Sequence, residues 1–198
     1  MAVVRILGID PGTQVVGYGC LEIALGRRVA SSVVPLAMRA SNVVRAVGSD
    51  GDVRLVAAGV LRLGGRGTAL PDRLRALAAE FRSLLAAHAP SELALEQAFY
   101  GKSVQAALRI GEARGVLLAE AAAAQVAVHQ FAPARVKRCV TGNGAAGKEA
   151  VAAMVRQFVA GATDARVAGM PSDATDALAV AWTRIEERRS PLLAVDDA

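Results

Sequence analysis

Short apolar runs closed by turn residues alternate along this chain with stretches of helical period. The run over 3–10 is apolar but for Arg5, ends on Asp10 and is followed by Pro11-Gly12-Thr13; it predicts a buried strand and a turn. Residues 15–23 and 52–63 predict two further strands, and Gly64-Gly65-Arg66-Gly67 a flexible connection. Over 70–88 the period changes to that of a helix. Leu70, Leu74, Leu77, Phe81 and Leu84 share one face, and Pro90 stops the element. A short strand at 92–96, a long helix at 104–124 and a strand at 126–131 follow. Helices are predicted at 134–140, 148–159 and 173–188, with Gly142-Asn143-Gly144 before the second and an irregular connection at 163–171 before the third.

Early strands joined as hairpins, then strand–helix–strand crossovers, imply an α/β fold with a five-stranded mixed sheet flanked by helices. Ligands of such sheets gather at the carboxyl ends of the parallel strands. Asp10 and Glu96 each end a predicted strand. Asp173 and Asp176 are three apart at the start of a mostly apolar helix, so they share one face. Each has an ordinary structural reading: Asp10 as a turn residue, Glu96 as an exposed strand end, Asp173 as an acid favoured by the helix dipole. Asp176, among Ala and Leu, is harder to explain that way. Brought together, four carboxylates are costly unless a cation neutralises them. Hard oxygen donors fit Mg²⁺ or Mn²⁺ beside a phosphate substrate, and two such ions can hydrolyse a phosphodiester.

Composition narrows the setting. The chain has 198 residues, enough for one core-forming domain, and is 54% hydrophobic but only 4% aromatic. The formal net charge is +5, almost all of it from arginine, since Lys102, Lys137 and Lys148 are the only lysines. That charge is compatible with a polyanionic partner without requiring one. Cys20 and Cys139 have no zinc spacing and read as reduced thiols of a cytoplasmic protein. His88 and His129 fall outside the acidic motifs. No signal peptide is expected, and the most apolar helical stretch, 115–128, is too short to span a bilayer.

The motifs resemble those of the RuvC family, the bacterial Holliday junction resolvases. The matching segments are Ile6-Leu7-Gly8-Ile9-Asp10-Pro11-Gly12-Thr13 with Gly17-Tyr18-Gly19, then Leu95-Glu96-Gln97-Ala98-Phe99-Tyr100-Gly101-Lys102. Ile110-Gly111-Glu112-Ala113-Arg114-Gly115, Pro133-Ala134-Arg135-Val136-Lys137, Val140-Thr141-Gly142-Asn143-Gly144, Gly147-Lys148 and Ser172-Asp173-Ala174-Thr175-Asp176 follow in order. The resemblance implies an RNase H-like fold and a homodimer that nicks four-way junction DNA symmetrically, in recombination and repair. It makes Asp10, Glu96, Asp173 and Asp176 the catalytic ligands of two Mg²⁺ ions, with Mn²⁺ able to substitute. It places Lys137 and Lys148 near the scissile phosphate and Phe99 against bases at the junction centre. A branch-migration motor is a partner by resemblance alone.

Read from the residues, Lys102, Lys137 and Lys148 are candidate phosphate contacts or solvated surface charge. Arg114 has two readings, a DNA contact or an ion pair with Glu112 or Glu120. The helix over 104–124 is a candidate dimer surface or a core helix. The expected organisation is one nuclease domain over 1–188, an inserted hairpin or loop at about 25–51, and a loose tail at 189–198. The insertion is longer than the family norm by roughly two dozen residues, unusual for a loop. It holds Arg27, Arg28, Arg39 and Arg45 and is expected to be a solvent-exposed elaboration. Two rivals remain. Asp10-Pro11-Gly12-Thr13 also suits the phosphate loop of actin-like ATPases, which need a second such loop and a second lobe. A junction-binding module with a decayed site is the other, and retention of all four acids speaks against it.

Overall fold

The computed structural model describes residues 2–25, 53–65, 67–97, 104–160 and 169–189. Strand β2 (Val15–Leu25) runs antiparallel to both of its neighbours, β1 (Ala2–Asp10) and β3 (Val53–Arg62). β4 (Glu92–Glu96) and β5 (Ala127–Phe131) add in parallel on the other side of β1. The sheet order is β3-β2-β1-β4-β5, the five-stranded mixed sheet expected from the chain pattern.

Alternation along each strand sorts the side chains into two cores. Leu7 and Ile9 of β1 and Leu93 and Leu95 of β4 face helices α1 (Leu70–His88) and α2 (Val104–Ala123), packing with Leu77, Phe81 and Leu117. Ile6 of β1, Leu21 of β2, Ala94 of β4 and Phe131 of β5 face the opposite layer. That layer holds α3 (Pro133–Thr141), α4 (Lys148–Ala160) and α5 (Ser172–Arg189). Helix α5 lies between the sheet and the other two helices. It is buried nearly all round, from Ala174 to Ile185, and Trp182 stacks on Phe158 with ring centroids 4.9 Å apart. An Ala-rich sequence is what lets a helix take this inner position.

Three glycines set how closely α5 can approach. A β-carbon at Gly8 would lie 2.1 Å from the Ala177 carbonyl oxygen, one at Gly17 1.9 Å from that of Asp173, and one at Gly19 2.6 Å from the Leu178 side chain. The backbone of α5 therefore rests directly on β1 and β2.

The other end of the sheet carries an ion-pair network. Glu92 is buried and accepts from Arg184 Nε at 2.6 Å and from Arg188, while Glu187 pairs with Arg135 at 2.7 Å. His129 Nε2 lies 3.7 Å from Glu92, and burial holds its pKa below the usual value, which gives it a structural place. His88 sits in the last turn of α1, where its carbonyl accepts from Arg5 Nη1 at 3.0 Å. Cys20 and Cys139 are free thiols, and burial pushes both up to about 11, well above the reactive range. Among the described residues, no helix is long and apolar enough to cross a membrane. Leu25 ends β2 and Arg189 ends α5, so the expected insertion (about 25–51) and loose tail (189–198) do not include them; the remainder of both lies outside the described residues.

Candidate active site

Strand parity aims the first two acids. Asp10 and Glu96 continue the even-numbered rows of β1 and β4 that face α5, and Ile9 pairs with Leu95 just before them. Asp10 also pairs with Gly17 across β1 and β2. Glu96, Asp10 and Gly17 thus form one row across the end of the sheet. Because Gly17 lies against the Asp173 carbonyl, the first turn of α5 sits above this row. Asp176 follows one turn later on the face shared with Asp173. The four acids predicted to meet therefore come from three elements, β1, β4 and α5, at one edge.

Their electrostatics carry the mark of this crowding. Burial and the nearby Asp176 carboxylate push the Asp10 carboxyl up to about 6. Burial, then the Asp10 charge and hydrogen bond, push Glu96 up to about 8. The two carboxyls interact through a side-chain hydrogen bond and titrate as a pair. Lys148 Nζ stands 3.2 Å from Asp176 Oδ2, and its pKa is raised by Asp176 first, with Asp10 and Asp173 adding to it. Its side chain is largely exposed, so this pair contributes little to stability, and the ammonium is free to turn toward a bound anion.

The loop before Lys148 is built locally. Thr141 Oγ1 accepts from the Asn143 amide at 3.1 Å, Asn143 Oδ1 accepts from the Ala145 amide at 2.9 Å, and Gly142 ends α3 with a φ of 78°. Lys137 is half-buried on α3, one turn before Thr141, whose hydroxyl donates to its carbonyl at 2.8 Å. Phe99 and Lys102 lie outside the described residues.

Arg114 makes contacts that neither of its two expected readings included. It is 9% exposed and faces the sheet, where its guanidinium donates to the Glu96 carbonyl oxygen and to Oε1 of Gln130. Glu120 pairs instead with Arg82 at 2.8 Å. Arg73, not singled out from the sequence, is similarly buried on α1 and donates from Nη1 to the carbonyl of Thr13, in the turn after Asp10, at 3.1 Å. The signal was present in the pattern. Arg73 falls between Leu70 and Leu77, and Arg114 between Ile110 and Leu117, on the faces that the apolar residues mark as buried.

Among the described residues, no three Asp, Glu, His or Cys side chains are already gathered into a metal cage. Asp10 and Glu96 are coupled to each other, and Asp176 faces the Lys148 ammonium at 3.2 Å. The donor set nevertheless fits a hard divalent cation: it is all carboxylate oxygen, and the pKa values of Asp10 and Glu96 are raised by burial and by neighbouring carboxylate charge.

The sheet order and the acids at its edge define an α/β protein of the RNase H-like class. The model for the RuvC family, described as crossover junction endodeoxyribonuclease RuvC, matches residues 35–184. The RuvC of Halorhodospira halophila is 36% identical over 192 residues, covering 96% of this chain and 95% of that protein. The RuvC of Acidiphilium cryptum is 38% identical over 178 residues, covering 89% and 87% respectively. Among solved structures, T. thermophilus RuvC in complex with a Holliday junction substrate aligns with a TM-score of 0.73 at 28% identity, over 95% of this chain and 96% of that one. The chain belongs to the RuvC family.

Proposed function

We propose that this protein is a structure-specific endodeoxyribonuclease that resolves four-way DNA junctions in the cytoplasm by hydrolysing one phosphodiester in each of two opposed strands. What supports the reading is that the strand ends carrying Asp10 and Glu96 and the first turns of α5, carrying Asp173 and Asp176, share one sheet edge, with Lys148 3.2 Å from Asp176. These four carboxylates would hold two Mg²⁺ ions, with Mn²⁺ as a substitute. When bound, such ions supply an activated water and charge stabilisation for the leaving 3′ oxygen.

The chain's own groups do the rest. Asp10 and Glu96 give up their shared proton to become ligands. Lys148 exchanges Asp176 for a phosphate oxygen, and Lys137 adds a second positive charge near the scissile group. The bond from phosphorus to the 3′ oxygen breaks as the water oxygen attacks, leaving a 5′ phosphate and a 3′ hydroxyl. Phe99 is assigned to stack on a base at the junction centre and Lys102 to contact phosphate.

Two symmetric nicks require two active sites, which a two-fold homodimer provides. Helix α2 supports this. Val104 and Leu108 are 56% and 65% exposed on its outer surface, beside Gly111 and Gly115, which leave room for close approach. A second copy of the chain is the assigned occupant, and sedimentation of the free protein tests it. A branch-migration motor is a further partner on the strength of family membership alone.

Asp10→Asn separates catalysis from binding. It should abolish Mg²⁺-dependent nicking of a synthetic four-way junction while retaining junction binding in EDTA. Nicking that survives the substitution would remove Asp10 from the mechanism.

A further inference from the structure

Arg114 is the charged residue tied most directly to the backbone of the site, and neither a DNA contact nor a surface ion pair accounts for its place. It stands on the sheet-facing stripe of α2, where Leu or Met would pack without the cost of desolvating a guanidinium. Its Nη1 donates to the carbonyl oxygen of Glu96 and its Nη2 to Oε1 of Gln130. Those acceptors belong to paired strands: Leu95 is opposite Gln130, Glu96 is opposite Phe131, and the Gln97 amide donates to the Phe131 carbonyl at 2.8 Å. One planar fork therefore joins the ends of β4 and β5 on the face opposite the acids. Glu96 is the last residue of its strand, so without this clamp its peptide has fewer restraints than that of a residue inside the ladder.

We infer that Arg114 is a positioning residue: by clamping the Glu96 carbonyl to β5 from behind the sheet, it directs the Glu96 carboxylate toward Asp10 and so sets the metal affinity of the four-acid site. The inference rests on the reading of those acids as metal ligands.

Two effects of Arg114 on a bound cation have opposite signs, which makes the inference testable. Its positive charge repels a divalent cation, so charge alone predicts tighter binding when it is removed. Its hydrogen bonds orient a ligand, so positioning predicts weaker binding. Lysine keeps the charge but cannot bridge two acceptors as the planar fork does. Losing an outer partner of a metal ligand typically lowers metal affinity about 10- to 100-fold.

The decisive experiment titrates Mn²⁺ into DNA-free protein, following free Mn²⁺ by electron paramagnetic resonance, for wild type, Asp10→Asn, Arg114→Gln, Arg114→Lys and Gln130→Ala. Both Arg114 variants should bind Mn²⁺ about 10- to 100-fold more weakly, and Gln130→Ala less weakly than either. In junction nicking, the Mg²⁺ concentration for half-maximal rate should rise in parallel, with most of the maximal rate recovered at saturating Mg²⁺ and junction binding in EDTA unchanged. Unchanged or tighter Mn²⁺ binding by folded Arg114 variants overturns the inference, as does a defect confined to junction affinity. Should neither Arg114 variant fold, Gln130→Ala decides, and wild-type Mn²⁺ affinity in it overturns the proposal. Wild-type protein that binds no Mn²⁺, or binds it regardless of Asp10→Asn, sinks the four-acid reading itself. Loss in Asp10→Asn alone sinks only the role of Arg114.

Discussion

The carbonyl oxygen of Asp173 lies so close to Gly17 that a β-carbon on that glycine would stand 1.9 Å from it. Gly17 is also the cross-strand partner of Asp10. A residue with no side chain thus links two of the candidate ligands, and its emptiness sets their separation. Gly17→Ala is expected to lift the first turn of α5, because the atom it meets is helix backbone. The cost to stability should be about 1–3 kcal/mol, as for other overpacked sites. Displacing catalytic groups by an ångström should lower nicking by about 100-fold. Thermal unfolding alongside single-turnover nicking checks this; a variant as active as wild type would show that α5 can shift without consequence.

The Asp10 and Glu96 pair makes the metal-free protein sensitive to pH. Both carboxyls are raised in the folded state, to about 6 and about 8. A raised carboxyl contributes stability below its unfolded pKa, and that contribution is lost as pH rises through the folded value. The stability of protein in EDTA should therefore fall between pH 5 and pH 8. His129 has the opposite sign in part of this window, since its folded pKa is lowered and its neutral form is favoured. Comparison with Glu96→Gln isolates the pair: the variant should be more stable than wild type at pH 8 and should show a flatter profile. Parallel profiles for the two proteins would rule out the buried pair as the cause.

Metal binding should displace the shared proton. With values of about 6 and about 8, the Asp10 and Glu96 pair holds about one proton near pH 7, while ligation needs both as anions. Calorimetric titration of Mg²⁺ or Mn²⁺ in two buffers of different ionisation enthalpy should report release of about one proton. The number should decline above pH 8. Proton-neutral binding at pH 7 would mean that the cation does not engage this pair.

In the proposed function, Lys148 connects the acids to the substrate. It faces Asp176 at 3.2 Å and is exposed enough to turn away from it. Lys148→Ala should lower the single-turnover nicking rate at saturating protein by about 10²–10³-fold, the usual loss for removing one charge-stabilising donor. The salt dependence of junction binding should decrease by about one charge. A purely structural lysine would leave the rate intact and change only thermal stability.

Much of this architecture was legible from the chain because its physics is local. Asp10 and Glu96 end short apolar runs that read as buried strands, and the Asp173–Asp176 spacing fixes a shared helix face. Gly17 and Gly19 belong to a matched motif, but nothing in their local sequence explains them. Their role is to admit α5, whose Asp173 and Leu178 lie far along the chain from them, a contact that no local pattern encodes. Arg114 shows the opposite difficulty. Its place on the apolar stripe of α2 marked it as inward-facing, but an arginine invites a surface reading until its acceptors, a strand-end carbonyl and Gln130, are known. Phe99, Lys102 and the insertion at about 25–51 lie outside the described residues, so their assignments rest on sequence and family membership.

The most direct test of the central claim is nicking of a mobile-core four-way junction, mapped to the nucleotide, with Mg²⁺ and with EDTA, by wild-type protein and Asp10→Asn. The expected result is paired nicks at symmetric positions in two opposed strands, present only for wild type with Mg²⁺. Junctions that stay uncut across varied core sequences, or cuts that persist in EDTA or in Asp10→Asn, would contradict it.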